Sequence, residues 1–203
     1  MRSLRPWFTL MLLAGLACES TTETDPTELP EERLSFVRQS PLAPPLVATR
    51  DSFWAKVGDG RDMELYYQGE TPADSGEEFL RFEVPGDALY RRPDGSLFGP
   101  GDSILITVTV VDPDRFVFQF EPSGLRFNAD HPARLKVRYQ LSDQDFDDDG
   151  DEDETDAEIE QHLDLWHQAE AGGTWRRVGA VRFSEIDEIE ANIGSFSQYA
   201  VAW

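Results

Sequence analysis

Short apolar runs alternate with turn residues from Asp51 to the end of the chain. In the segment 134–140, Leu135, Val137 and Tyr139 alternate with charged side chains, which is the two-residue period of a strand with one buried face. No long segment has the 3.6-residue period of an amphipathic helix. The other predicted strands are 52–57, 63–67, 79–84, 104–111, 115–120, 162–167, 174–181, 188–193 and 197–202. The pattern predicts an all-β, Ig-like antiparallel β-sandwich of about eight to ten strands over residues 48–203.

The first residues of the chain have the features of an export signal. Arg2 and Arg5 give a basic start, residues 6–16 are largely apolar, and small residues precede Cys18. The apolar run is about half of the ~20 residues that a membrane-spanning helix needs. Residues 1–17 are therefore predicted to be a signal peptide that is removed from the mature protein.

The segment Leu13-Ala14-Gly15-Leu16-Ala17-Cys18 resembles the lipobox of bacterial lipoproteins. The resemblance implies that Cys18 is lipidated and becomes the first residue of the mature chain. Gly15 departs from the family pattern, which prefers a branched apolar residue at that position. Glu19 follows the cysteine, and by the same resemblance this favours the outer membrane or the cell surface. The alternative is an ordinary secretory signal with an unrelated cysteine nearby.

Composition narrows the choice of partners. The chain has 18 basic and 40 acidic residues, and loss of Arg2 and Arg5 with the signal leaves 16 against 40, a charge of −24. Such a charge excludes nucleic acid as the expected ligand, because phosphates require a basic surface. The Pro-, Thr- and Glu-rich residues 18–47 are predicted to be a flexible tether that holds the domain away from the membrane.

The second half of the domain carries a family resemblance. Its short motifs are Phe120-Glu121-Pro122-Ser123-Gly124-Leu125-Arg126-Phe127, Leu163-Asp164-Leu165-Trp166 and Phe196-Ser197-Gln198-Tyr199-Ala200. In this order they resemble the ZU-five-like β-sandwich of ankyrins, netrin receptors and bacterial surface lipoproteins. The resemblance covers about residues 116–203 and implies an interaction or structural module rather than an enzyme.

Some ZU-five-like proteins cleave themselves between Phe and Ser of a Ser-Phe-Ser or His-Phe-Ser motif. Ser195-Phe196-Ser197 matches the first of these motifs. Cleavage would need the hydroxyl of Ser197 to attack the preceding carbonyl with help from a base. His162 or His167 would serve only if the fold brings one of them close. The alternative is an ordinary last strand.

An acidic insertion, residues 143–160, contains 12 acidic residues among 18 and no basic residue. The segment 145–156 resembles the calcium loops of EF-hands, dockerins and thrombospondin type repeats. Hard Ca²⁺ prefers six to eight oxygen ligands, and carboxylates two residues apart converge around a turn such as Gly150. The proposed ligands are Asp145, Asp147, Asp149, Asp151 through its carbonyl, Asp153 and Asp156. The alternative is a solvated acidic loop without a metal.

These observations predict a non-catalytic envelope lipoprotein that binds Ca²⁺ weakly. Its expected partners are a lipid bilayer, through acylated Cys18, and an envelope protein or polysaccharide. A secreted hydrolase or a carbohydrate-binding accessory domain is the main alternative. An enzyme would need polar groups that converge in a cleft, whereas a flat sandwich would favour an interaction module.

Overall fold

The computed structural model describes residues 27–71, 74–112 and 114–203. Two antiparallel sheets, one of seven strands and one of five, account for most of these residues, and a third sheet has two strands. The prediction of an all-β antiparallel sandwich is confirmed. In chain order the strands are β1 (Glu28–Leu29), β2 (Arg50–Lys56), β3 (Arg61–Gln68), β4 (Ser75–Val84), β5 (Leu89–Arg91), β6 (Ser103–Asp112), β7 (Val117–Glu121), β8 (Arg126–Phe127), β9 (Ala133–Arg138), β10 (Asp164–Gln168), β11 (Trp175–Arg177), β12 (Val181–Phe183), β13 (Glu188–Ile193) and β14 (Gln198–Ala202).

The seven-stranded sheet has the order β1-β11-β10-β14-β7-β6-β2, and the five-stranded sheet has the order β12-β13-β9-β4-β3. The ten predicted strands are present, but the segment 174–181 holds β11 and the first residue of a separate strand, β12. Two short helices complete the described residues: a 3₁₀ helix at Glu31–Arg33 and α1 at Glu154–Glu160. The helix α1 lies inside the acidic insertion.

Alternation along β9 places one set of side chains between the sheets. Leu135 and Val137 are fully buried, as is Tyr139 just after the strand, and this confirms the predicted inward face. Aromatic side chains fill much of the same core, and most of their rings meet edge-on or tilted, an arrangement that suits their quadrupoles. The largest fully buried aromatic members of this core are Tyr67, Tyr139, Phe79, Phe82, Phe116, Phe118 and Phe120.

The outer face of the five-stranded sheet is charged. Lys136 of β9 lies 3.2 Å from Glu83 and 3.6 Å from Glu190, the acids on the two neighbouring strands. Arg81 of β4 lies 2.7 Å from Glu64 and 2.6 Å from Glu78. Because opposite charges face each other across strands, the positive and negative side chains of this surface offset one another.

The segment 27–47, named here the N-terminal strap, packs on the sandwich. Leu29, Leu34 and Val37 are at most 7% exposed. Val37 donates its N–H to the carbonyl of Val201 at 3.0 Å, and its own carbonyl accepts the N–H of Phe116 at 3.2 Å. The predicted flexible tether is therefore wrong for residues 27–47, and the folded body extends at least to Glu28 rather than starting at residue 48. The proline content of the segment led to the prediction of a flexible tether, although three of its apolar residues are buried.

The strap also covers the outer face of the seven-stranded sheet. Leu29 and Leu34 form a second apolar cluster with Trp166, Trp175 and side chains of β14. Phe36 packs edge-on against Trp175, with ring centroids 5.5 Å apart. This part of the sheet is thus buried on both faces, which explains why its strands carry apolar residues on both sides.

The predicted signal peptide 1–17, lipid site Cys18 and residues 19–26 lie outside the described residues. Within the described part of the chain, no helix is long and apolar enough to cross a membrane.

Candidate functional site

Three carboxylates converge at the start of the acidic insertion. Asp145, Asp147 and Asp149 each place one oxygen so that the three atoms lie within 4.8 Å of one another. Asp145 accepts the N–H groups of Asp149 at 3.0 Å and Gly150 at 2.9 Å, which folds the chain back over its side chain. Gly150 has a φ of +103°, a conformation that favours glycine, and this agrees with its predicted role in the turn.

Asp156 organises the other side of the loop. Its carboxylate is buried and accepts the N–H groups of Phe146 at 2.6 Å, Asp147 at 3.2 Å and Asp153 at 2.9 Å. These bonds, with that of Asp153 first, lower the pKa of Asp156 because they stabilise its ionised form. Asp153 in turn accepts the N–H of Thr155 at 2.6 Å and caps α1. The roles of Asp153 and Asp156 as metal ligands stay predictions.

Charge repulsion marks the converging carboxylates. Reduced hydration and then the charge of Asp149 raise the pKa of Asp147. The charges of Asp149 and Asp153 raise the pKa of Asp151. The raised pKa values mean that ionising these two carboxylates costs more free energy in the loop than it would if they were apart. A cation bound among them would relieve this repulsion.

Arg38 of the strap brings a positive charge to the loop. Its guanidinium pairs with both carboxylate oxygens of Asp148, at 3.0 and 3.2 Å. This contact raises the pKa of Arg38, with smaller contributions from the charges of Asp143 and Asp145. Asp148 points to the strap rather than to the three converging carboxylates, so one acidic side chain of the loop serves a structural contact.

Three carboxylate oxygens within 4.8 Å of one another could share one metal ion, and Ca²⁺ is the ion that the sequence predicts. Oxygen ligands alone suit a hard cation. The remaining positions of a six- to eight-coordinate ion would fall to the predicted carbonyl of Asp151 and to water.

A second polar site lies at the start of β14. The hydroxyl oxygen of Ser197 is 2.6 Å from Nε2 of His167, which lies on the neighbouring strand β10. Burial and then the nearby charge of Arg176 lower the pKa of His167, so its imidazole is neutral near pH 7. The ring of Tyr199 packs against the imidazole, tilted by 32°, with ring centroids 4.6 Å apart.

The carbonyl oxygen of the peptide bond before Ser197 accepts a backbone hydrogen bond. Gly124 donates its N–H to the carbonyl oxygen of Phe196 at 3.1 Å. Ser197 and His167 line a cleft of about 550 Å³ whose other polar side chains include Arg126 and Glu170. His162 and His167 were both candidate bases, and the fold brings His167 to Ser197. His162 precedes β10, and its N–H donates to the carbonyl of Ile159 at 2.8 Å.

Outside these two sites, charged and aromatic side chains lie on the surface of the sandwich. Arg134, Lys136 and Arg138 pair with acidic residues across the five-stranded sheet and offset their negative charge. The exposed large aromatics of the described residues are Trp54, Tyr90 and Phe183. They belong to three different sheets and therefore do not form a row along one sheet, as an aromatic platform for a carbohydrate would.

Two features of these sites were not found from the sequence. The helix-capping role of Asp156 was concealed because every acidic residue of the insertion looks alike in sequence. The contact of Arg38 joins residues 110 positions apart, and a lone arginine in a Pro-rich segment carries no local signal for such a contact.

Comparison of the chain with protein-family models, with curated proteins and with solved structures finds no match.

Proposed function

We propose that this protein is a lipid-anchored envelope module that acts by display and binding rather than by catalysis, and that Ca²⁺ stiffens its acidic loop. The observation that carries the proposal is the convergence of Asp145, Asp147 and Asp149 within 4.8 Å. The anchor at Cys18 rests on the lipobox resemblance, and the interaction role rests on the ZU-five-like motifs. The outer membrane or the cell surface is the proposed location.

Calcium would act on the packing of the loop. Phe146 lies between two of the converging aspartates and packs edge-on against Trp203, with ring centroids 5.6 Å apart. Loss of repulsion around Phe146 would therefore stabilise the contact between the loop and the C-terminal residue. The loop also contacts the strap through Arg38 and Asp148. A bound ion would hold together three parts of the chain that are distant in sequence.

The stability of the protein tests this role. A Kd of about 10⁻⁴ to 10⁻³ M is expected for an extracellular calcium module. At about 10 mM Ca²⁺ such a site adds about 1.4 to 2.7 kcal/mol to the free energy of unfolding. Urea denaturation with and without Ca²⁺ measures the increase, and Asp145→Ala/Asp149→Ala is expected to abolish it.

A matched control removes the same charge elsewhere. Asp59→Ala/Asp130→Ala changes two exposed aspartates in other loops and should keep the full response to Ca²⁺. An equal response in both double variants would mean that Ca²⁺ only screens the net charge, and the proposed site would then be rejected. Mg²⁺ at the same concentration serves as a second control, because it requires a smaller octahedral site.

Self-cleavage at Phe196–Ser197 is a second candidate function, favoured by the 2.6 Å contact between Ser197 and His167. In this reaction His167 Nε2 takes the hydroxyl proton, and Ser197 Oγ bonds to the carbonyl carbon of Phe196. The N–H of Gly124 would stabilise the charge on the carbonyl oxygen. The C–N bond then breaks as His167 returns the proton to the amine of Ser197. Water hydrolyses the resulting ester and leaves a carboxylate on Phe196.

Intact mass under denaturing conditions tests this reaction, because a cleaved β14 would stay hydrogen-bonded to β7 and β10 in the folded protein. Cleavage predicts a separate Ser197–Trp203 peptide that is lost in Ser197→Ala and greatly reduced in His167→Gln. A single intact chain after prolonged incubation would reject this candidate and leave the calcium proposal untouched.

A further inference from the structure

The N-terminal strap changes the distance at which a lipid anchor would hold the domain. The described part of the chain begins at Thr27, whose carbonyl accepts the N–H of Arg177 at 2.9 Å beside β1. Only residues 19–26 separate Cys18 from this point. Nine Cα–Cα steps cover at most about 30–32 Å in any conformation, because each contributes no more than about 3.3–3.6 Å.

The body is wider than this reach. A compact domain of the described size has a radius of gyration of about 16 Å, which corresponds to a diameter of about 40 Å. Strand β1 is one edge of the seven-stranded sheet and β2 is the opposite edge. Six spacings of about 4.8 Å separate these edges by about 29 Å. To bring β2 to the bilayer, residues 19–26 would have to be almost fully extended, which costs chain entropy.

We infer that the protein is oriented on the membrane, with its β1 edge facing the bilayer and its β2 edge facing away. This inference rests on the proposed anchor at Cys18. The strap sets the orientation, because it begins at β1 and its buried residues Leu29, Leu34 and Val37 hold it on the sandwich. A tether that continued to residue 47 would instead join the body close to β2, which begins at Arg50, and would favour the opposite orientation.

The edge that faces away has the most exposed aromatic side chain of the described residues. Trp54 of β2 is 60% exposed, and its cross-strand neighbour Leu105 of β6 is 43% exposed. Lys56 and Arg50 lie at the ends of the same strand. The orientation therefore leaves this edge accessible from outside the membrane, whereas the β1 edge would be screened by lipid.

Labels at the two edges test the orientation. The chain from Cys18 to Trp203 is coupled through its single thiol to a maleimide lipid in vesicles. An azide-bearing residue replaces either Glu31 or Lys56, which are both exposed, and a donor dye is attached to it. Energy transfer from this dye to an acceptor lipid gives the height of the labelled position above the bilayer. The label at position 31 is expected to lie nearer the bilayer by about 20 Å, most of the width of the sheet. Insertion of about 20 Gly/Ser residues before Thr27 should largely remove the difference.

Equal heights with the native linker, or a lower label at position 56, would overturn the inference. Rapid amide exchange at Val37 would overturn it as well, because the strap would then be undocked. Chemical coupling at Cys18 keeps this test independent of the proposed anchor. Mass spectrometry of the N-terminal peptide from a bacterial host tests natural lipidation, and its failure would reject the anchor without changing the measured geometry.

Discussion

Val37→Ala tests whether the N-terminal strap is part of the folded domain. Val37 is fully buried in the main core, and the change removes two methyl groups. Their transfer free energy is about 1.6 kcal/mol at 0.8 kcal/mol per carbon. A residual cavity of about 50 Å³ adds up to about 1.2 kcal/mol. The expected loss in the free energy of unfolding is therefore about 1.6 to 2.8 kcal/mol.

Urea denaturation followed by tryptophan fluorescence measures this loss. With an m-value of about 2 kcal/mol per molar urea, the midpoint should fall by about 1 M. Val47→Ala is the matched control, since Val47 belongs to the same strap and is 57% exposed. Its midpoint should stay close to that of the unchanged protein. Equal midpoints for the two variants would mean that the strap does not contribute to the core, and the argument for a short anchor segment would fail.

Three further predictions concern charge and hydrogen bonds. Arg81→Met leaves the carboxylates of Glu64 and Glu78 without their shared cation and should cost about 1–3 kcal/mol in urea denaturation, more at low salt; a loss that does not vary with salt would contradict this. Asp156→Ala removes the acceptor of three backbone N–H groups and should increase amide exchange at Phe146, whereas unchanged exchange would exclude the capping role. Because the folded protein lowers the pKa of His167, the unfolded chain binds a proton first as pH falls below about 6.5, so stability should decrease in that range. His167→Gln should remove this part of the pH dependence, and an identical pH profile would refute it.

The sequence predicted the strands well where one face is buried. Leu135, Val137 and Tyr139 follow a simple two-residue period, and all three are inside. Segment 104–111 carries apolar or hydroxyl side chains on both faces, and β6 lies inside its sheet, between β7 and β2. Local alternation was sufficient in these cases because the sandwich places neighbouring side chains on opposite faces.

The strap was missed because its packing is not periodic. Leu29, Leu34 and Val37 occur at irregular spacings among prolines and acids, and each occupies a site built by strands from the other end of the chain. The Ser197–His167 contact could not be predicted from the sequence either, since it depends on the register between β10 and β14. Composition indicates whether a segment can fold in isolation, whereas these contacts depend on partners that are distant in sequence.

Isothermal titration calorimetry of the whole chain tests most directly whether the acidic loop is a calcium site. We expect a saturable heat with a Kd of about 10⁻⁴ to 10⁻³ M. The heat should weaken as pH falls toward the carboxylate range, because the raised pKa values of Asp147 and Asp151 favour protonation in competition with the metal. It should be lost in Asp145→Ala/Asp149→Ala and kept in Asp59→Ala/Asp130→Ala. No heat at millimolar Ca²⁺, or equal heat in both double variants, would contradict the claim.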